Sequence, residues 1–331
     1  LAHPAILPLM GEEGRRLMRS WVADVATKGE ERLLTDARHI AASDIWTRGM
    51  VDEELLRFIE DGVARAAEFG WTRDEIGLRM MLGWGYFLTG RWAEASVLLE
   101  RAHGLLETLG GYTQGYFHIA LPYFRGNAAM GRGALEEGKR IFEQALERPP
   151  FHAPIWLNHD LGRCLLMLGE QTAARAAMAL ALAARDRFRC IICGCQANGV
   201  AAEFYAALAD TTAAEAVLED AEATASEIGH VTTRIRVRRA RARLALQRGT
   251  VDEAVEAARQ ALALGEALAL HQPFEQGQTL LLLGEAYQAG GDRTQVVESW
   301  RRARQIFADL GAAWHLRQTE EALGRAGATH A

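Results

Sequence analysis

The stretch "RGNAAMGRGALEEGKRIFEQALERPP", Arg125–Pro150, decides the fold. Gly133 separates two apolar, helix-forming segments, which predicts two helices joined by a short turn. Phe142 is the large residue that would fill the space between them, and Pro150 would end the second helix. The small residues at the predicted helix contacts are Gly126, Ala129, Gly138 and Ala145. The stretch therefore predicts one helical hairpin.

The same spacing of small, large and turn residues recurs along the chain. The predicted turns fall at residues 49, 90, 133, 169, 209, 249 and 291, so successive turns are 36 to 43 residues apart. A fixed period in this range is typical of solenoid arrays. The pattern resembles the tetratricopeptide repeat (TPR), whose usual period is about 34 residues. The first unit is the least regular, because Glu54 and Asp61 stand where small residues are expected.

This resemblance implies an all-α fold, a right-handed superhelical solenoid of about seven TPR-like helix pairs. The composition agrees, since alanine and leucine dominate and proline occurs only 7 times in 331 residues. We expect a helix in residues 1–29 that is a cap or the remnant of an earlier repeat. The array would occupy residues 30–310, and a capping helix and tail residues 311–331.

Composition narrows the possible functions. The formal net charge is −6, whereas nucleic-acid-coating proteins are usually basic, and no apolar run approaches the length of a membrane span. Four cysteines are too few for a disulfide scaffold, which favours the cytoplasm. "CIICGC" at Cys190–Cys195 is open to two interpretations, buried structural cysteines or a metal or redox site. No histidine lies within thirty residues of it, so we expect structural cysteines and no cofactor.

The most basic stretch is "RIRVRRARARLALQRG", residues 234–249. In TPR-like arrays the first helix of each pair lines the concave groove, and in that register Arg236, Arg239 and Arg243 share the groove face. One interpretation is that they pair with acids of neighbouring units, such as Glu203 and Glu285. The other is that they bind carboxylates or phosphates of a peptide, for which the guanidinium fork is suited.

The same register places further side chains in the groove. An aromatic track would consist of Trp46, Trp84, Phe87, Tyr123 and Trp156. Asn127 would offer an amide able to bond a peptide backbone. The remaining candidates for the ligand-binding or peptide-binding groove are His159, Arg163 and Glu203.

No phosphate loop, dinucleotide fingerprint or catalytic motif is present, so we expect no enzymatic activity. The sequence predicts a non-catalytic scaffold or sensor that binds a protein or peptide segment in its groove, an acidic one if the groove arginines take part. The segment Arg301–Arg325 resembles the closing repeat of TPR arrays in bacterial signalling ATPases and LuxR-type regulators, which implies the alternative of a sensing domain from a larger regulator. Because the chain begins with Leu1, we expect a piece of a longer protein.

Overall fold

A computed structural model of the chain describes residues 11–109, 116–147, 153–267 and 272–327. These residues form sixteen α-helices and no strand, which confirms the predicted all-α solenoid. The helices are α1 (Gly11–Lys28), α2 (Glu31–Arg48), α3 (Glu53–Glu68), α4 (Thr72–Leu88), α5 (Trp92–Thr108), α6 (Tyr116–Arg132), α7 (Leu135–Leu146), α8 (Ala153–Met167), α9 (Gln171–Phe188), α10 (Ile191–Ala207), α11 (Thr211–Ile228), α12 (Val231–Arg248), α13 (Val251–Ala267), α14 (Pro273–Ala289), α15 (Arg293–Leu310) and α16 (Ala313–Arg325). Within the described ranges, no helix is both long and apolar enough to cross a membrane.

Seven antiparallel pairs run from α2/α3 to α14/α15, and every predicted turn residue separates the two helices of a pair. Each turn residue has a left-handed backbone, from φ 54° at Ala209 to φ 88° at Gly90. Six of the seven are glycine, which adopts this conformation without the steric cost that a side chain brings. A left-handed residue between the two helices is therefore the feature that all seven turns share.

Small residues let the helices of a pair approach each other, as the sequence predicts. A Cβ atom added at Gly126 would overlap the Phe142 ring, and one at Gly284 would overlap the Trp300 indole. Both large side chains are fully buried. The small and large positions of the repeat are thus the two halves of one contact. Pro150, the predicted exit residue, lies outside the described residues.

The largest hydrophobic cluster has buried members from Ala42 to Ala312, and smaller clusters lie among the later pairs. The helices α1 and α16 flank the seven pairs and pack on α2 and α15 respectively. Their assignment as caps, and the boundaries at residues 29 and 310, stay predictions.

The superhelix closes on itself, which the sequence does not predict. A Cβ atom built at Gly90 would come within 2.8 Å of Pro273 and Leu310, and one at Gly133 would lie 3.2 Å from the backbone nitrogen of Trp314. The Trp92 and Phe274 rings are 5.4 Å apart. The turns of the second and third pairs therefore touch the last pair and α16, so the concave groove is a closed channel.

Candidate functional site

Helices from all seven pairs, together with α16, surround a central cavity of about 60 Å³. This volume holds only a few water molecules, at roughly 10–15 Å³ for each water. Seven of the residues that the sequence predicts in the groove line it: Trp46, Trp84, Phe87, Tyr123, Asn127, Arg163 and Arg236. The rest of the lining includes Gln196, His230, Gln272, Glu275 and His315. The inner face is therefore one site built from residues far apart in sequence.

The predicted aromatic residues form a connected wall. Trp84 stacks on Phe87 at a centroid distance of 5.1 Å and on Phe124 at 4.7 Å. Trp46 meets Trp156 edge to face at 4.4 Å and Tyr123 at 5.4 Å. Trp156 lies behind Trp46 rather than on the cavity surface and is only 4% exposed. These edge and stacked contacts hold the rings in fixed orientations.

A buried carboxylate organises the polar side of the cavity. The Asn127 amide donates to Asp160 Oδ2 at 2.8 Å and to the backbone oxygen of Tyr123 at 3.0 Å, and Arg163 donates to Asp160 Oδ1 at 2.8 Å. Burial acts to raise the pKa of the Asp160 carboxyl, but the charges of His159 and Arg163 hold it well below its usual value. The Asn127 amide nitrogen is thus engaged within the protein. His159 is fully buried beside Asp160, behind the lining.

The three predicted groove arginines make ion pairs with neighbouring helices. Arg239 donates to Glu203 at 2.5 Å and to Glu275 at 2.5 Å, and it is 3% exposed. Arg236 donates to Glu275 at 3.0 Å. Burial acts to raise the pKa of the Glu275 carboxyl, but the charges of Arg239 and Arg236 lower it to about 2. Glu275, which the sequence analysis misses, is therefore the ionised partner of two arginines.

The ion pair between Arg243 and Glu285 is more exposed than the ion pairs of Arg236 and Arg239. Arg243 lies 3.2 Å from Glu285, and both side chains are 36% exposed. Glu203 and Glu285 therefore pair with groove arginines, as the interpretation of internal pairing predicts. Three other arginines of the basic stretch pair with glutamates of α11: Arg238 and Arg241 with Glu222, and Arg248 with Glu215. Whether the groove arginines also bind a partner stays a prediction.

Two glutamine side chains bridge the channel. Gln196 Nε2 donates to the backbone oxygen of Trp46 at 3.1 Å, and Gln272 Nε2 donates to the backbone oxygen of Gly49 at 2.6 Å. Thr232 holds the Gln272 amide by donating to its Oε1 at 3.2 Å. The inner face of the later pairs therefore binds the backbone at the end of α2. Gln272 carries no signal in the sequence, because its role depends on closure of the superhelix.

Two larger cavities adjoin the central one. A cavity of about 920 Å³ shares Gln272 and Glu275 with it and opens beside Asp52, Arg91 and Gln276. A cavity of about 360 Å³ shares Arg163, Met167 and His315 with it and is lined by the Arg239, Arg243, Glu203 and Glu285 group. We call these the wide mouth and the narrow mouth of the channel. In the described part of the chain, no cluster of side chains is suited to hold a metal ion.

Comparison with known proteins places the fold. No protein-family model matches the chain, and no curated protein sequence matches it. A solved Rap protein in complex with competence and sporulation factor has a TM-score of 0.58 at 16% identity, with the match covering 96% of this chain and 80% of that one. A tetratricopeptide repeat protein from Parabacteroides merdae has a TM-score of 0.47 at 14% identity, with coverages of 87% and 99%. The chain is a TPR-type helical solenoid. Neither of these two is a LuxR-type regulator, so that part of the resemblance stays a prediction.

Proposed function

We propose that this protein is a non-catalytic receptor that binds a short, extended peptide segment in its closed channel. The observation that carries the proposal is the pair of amides from Gln196 and Gln272, which bind backbone oxygens of Trp46 and Gly49. Side-chain amides that bond backbone groups give affinity for polypeptide without regard to its sequence. The inner face thus already uses peptide-recognition chemistry on a segment of its own chain.

The chemistry of the mouths indicates the kind of segment. Four arginines of the channel, Arg163, Arg236, Arg239 and Arg243, are matched by four carboxylates, Asp160, Glu203, Glu275 and Glu285. A strongly acidic peptide therefore meets no excess of positive charge there. The aromatic wall offers rigid apolar anchors of the type that dominates interfaces. We propose a peptide that binds through its backbone and one or two apolar side chains.

The fold of a neighbour supports the same proposal. The Rap protein with a TM-score of 0.58 is in complex with competence and sporulation factor. The mouths, of about 920 and 360 Å³, have room for an extended peptide segment but not for a folded domain, whereas the centre, at about 60 Å³, has room for a peptide only when the end of α2 moves.

A library of random dodecapeptides, panned on the immobilised protein, tests the proposal. Enriched peptides are synthesised and titrated by calorimetry against wild type and against Arg243→Glu in the narrow mouth. Because the site is half-exposed, the fold tolerates the two adjacent carboxylates of this variant. Those carboxylates repel the backbone oxygens of a peptide in the narrow mouth, so binding should weaken about tenfold, that is about 1.4 kcal/mol. The control is Arg304→Glu, which breaks a more exposed ion pair between Arg304 on α15 and Glu320 on α16.

Wild-type affinity retained in Arg304→Glu and lost in Arg243→Glu supports binding in the channel. Absence of enrichment over the bare support, or equal binding by wild type and Arg243→Glu, rejects it.

The finer proposal is that the array is the sensing segment of a larger regulator, and closure of the superhelix favours it. A central cavity of about 60 Å³ cannot admit a peptide unless the end of α2 moves. Binding would then separate the first pairs from the last ones, and an attached domain would detect this change. Small-angle scattering with and without an enriched peptide measures it, and an unchanged radius of gyration at saturation contradicts it.

A further inference from the structure

Cys190 and Cys193 form a contact at the start of α10. Cys190 is the N-cap residue, with an extended backbone at φ −77° and ψ 115°, and its sulfur accepts from the Cys193 backbone nitrogen at 3.5 Å. The two sulfur atoms are 2.7 Å apart. A cysteine pair spaced C-x-x-C at a helix N-terminus is the arrangement in which redox-active dithiols occur. The sequence predicts structural cysteines at this position, and the contact between the two sulfur atoms indicates a redox role as well.

The two thiols differ in access. Cys190 is partly exposed and opens onto a surface cavity of about 460 Å³, whereas Cys193 is 2% exposed. The hydrogen bond with Cys190, together with burial, raises the pKa of the Cys193 thiol far above its usual value. Cys190 is therefore the sulfur that a solvent-borne reagent reaches, and Cys193 is its buried neighbour within reach of it.

The cavity beside Cys190 suits a small thiol compound. Its volume falls in the range of ligand pockets, about 300–1,000 Å³. Arg185 and Arg189 line it together with Asp186 and Asp220, so it offers cations to a carboxylate and fixed charges of both signs. Arg185 is ion-paired with Asp186 at 2.6 Å. The pocket thus accommodates a charged molecule the size of a tripeptide.

The remaining cysteines do not compete. Burial raises the pKa of the Cys195 thiol to about 12 and that of the Cys164 thiol to about 12. Both side chains are fully buried, and Cys164 donates to the backbone oxygen of Leu135 at 3.2 Å. Cys195 belongs to the stretch in which the sequence predicts structural cysteines, and Cys164 is buried in the same way.

We infer that Cys190 and Cys193 are a reversible dithiol–disulfide site that reacts with low-molecular-weight disulfides such as oxidised glutathione. The Cys190 thiolate attacks one sulfur of the small disulfide and expels the first small thiolate. The Cys193 sulfur then attacks Cys190, forms the intramolecular disulfide and expels the second small thiolate. The protein loses two electrons and two protons, and the small disulfide becomes two thiols.

This site lies against the wall of the channel. Trp156 is the aromatic neighbour of the Cys193 sulfur, and its ring is 4.4 Å from Trp46, which lines the central cavity. A disulfide draws Cys193 toward Cys190 and so changes the packing of Trp156. Only this consequence for the channel rests on the proposed function, whereas the thiol chemistry stands without it.

Counting the free thiols after oxidation in glutathione buffers tests the inference. The folded protein is equilibrated in glutathione buffers from fully reduced to fully oxidised, quenched in acid, alkylated and mapped by mass spectrometry. We expect two of the four thiols to disappear, and a peptide cross-linked between Cys190 and Cys193, fully reversed by excess reduced glutathione. Four alkylated thiols in the most oxidised buffer, or a cross-link through Cys195 or Cys164, overturns it.

Single variants separate the two roles. Cys193→Ser cannot resolve the intermediate, so it should accumulate a mixed disulfide of glutathione on Cys190. Cys190→Ser should form no adduct, and Cys164→Ser, the control, should oxidise like wild type. An adduct on Cys190→Ser equal to that on Cys193→Ser rejects Cys190 as the attacking sulfur. Tryptophan emission recorded in the same buffers reports whether the disulfide changes the packing of Trp156. The Trp156→Phe variant should lose the part of the emission that depends on oxidation.

Discussion

The Gln272 amide donates a hydrogen bond of 2.6 Å to the backbone oxygen of Gly49, across 223 residues of sequence. Gly49 is the turn of the first helix pair, and Gln272 precedes the first helix of the last pair. This single bond therefore joins the two ends of the array. It also shows that the channel closes through backbone recognition and not only through apolar packing.

Replacing Gln272 by alanine should loosen this closure. One lost hydrogen bond, with a buried carbonyl left unsatisfied, costs about 1–3 kcal/mol in the free energy of unfolding. Hydrogen exchange should rise at the end of α2 and at the start of α12, because Thr232 loses its partner. The control is Gln288→Ala, an exposed glutamine of the same helix, which should change neither quantity. Equal exchange in both variants contradicts closure by this bond.

Replacing Arg239 should destabilise the fold far more than replacing Arg241 on the same helix. Arg239→Met leaves the buried Glu275 and the partly buried Glu203 with Arg236 as their remaining cationic partner, a loss of about 3 kcal/mol. Arg241 pairs with Glu222 but is 45% exposed, so Arg241→Met should cost less than about 1 kcal/mol. Urea unfolding of the two variants measures the difference. Similar urea midpoints for the two variants would show that the buried ion pairs of Arg239 stabilise the fold no more than the exposed pair of Arg241 does.

Stability should fall as the solution becomes acidic, and two buried histidines set the upper part of this decline. Burial, reinforced by nearby Arg236, lowers the pKa of His230 from 6.5 to about 3, and burial with Arg163 lowers that of His315 to about 3. In the unfolded chain these two histidines therefore bind protons below pH 6.5, whereas in the folded chain they bind them only near pH 3. Glu275 extends the loss below its ordinary pKa of 4.5, since its folded pKa is about 2.

His315→Gln tests this linkage, because a glutamine cannot titrate. The free energy of unfolding of the variant should depend less on pH below about 6.5, by up to one proton or about 1.4 kcal/mol per pH unit. The control is Gln318→Ala, at an exposed residue of the same helix α16 that does not titrate, and it should keep the wild-type slope. Parallel pH profiles of wild type and His315→Gln would show that His315 does not contribute to the loss.

Ala209 is the one predicted turn residue that is not glycine, and it has φ 54°. A side chain in this left-handed region costs roughly 1–2 kcal/mol, so Ala209→Gly should stabilise the fold by about 1 kcal/mol. The matched control is Ala207→Gly, in the last turn of α10, where added backbone freedom should destabilise by about 0.5–1 kcal/mol. Thermal unfolding distinguishes them, and a lower melting temperature for Ala209→Gly contradicts the prediction.

The sequence predicts the local architecture well, because turns and helix contacts depend on residues close together in the chain. The turn at Gly133 and the six other turns are predictable because each depends on one residue that adopts a left-handed backbone. The contact between Gly126 and Phe142 is predictable because the two residues lie in the same helical hairpin. The arginine register was equally readable, since Arg239 and Glu203 belong to adjacent pairs. Closure was not predictable in this way. Gln272 and Glu275 act on residues set by the accumulated rotation of seven pairs, and no short pattern encodes that sum.

The bond between Gly49 and Gln272 changes how the array should unfold. In a linear solenoid each unit is held only by its neighbours, so terminal units fray first and stability is close to a sum of nearest-neighbour terms. Here the first pair is also held by the sixth and seventh pairs, so the array has the cooperativity of a ring. Deleting the last pair should therefore weaken the first one, at the far end of the chain, as well as the pair beside the cut.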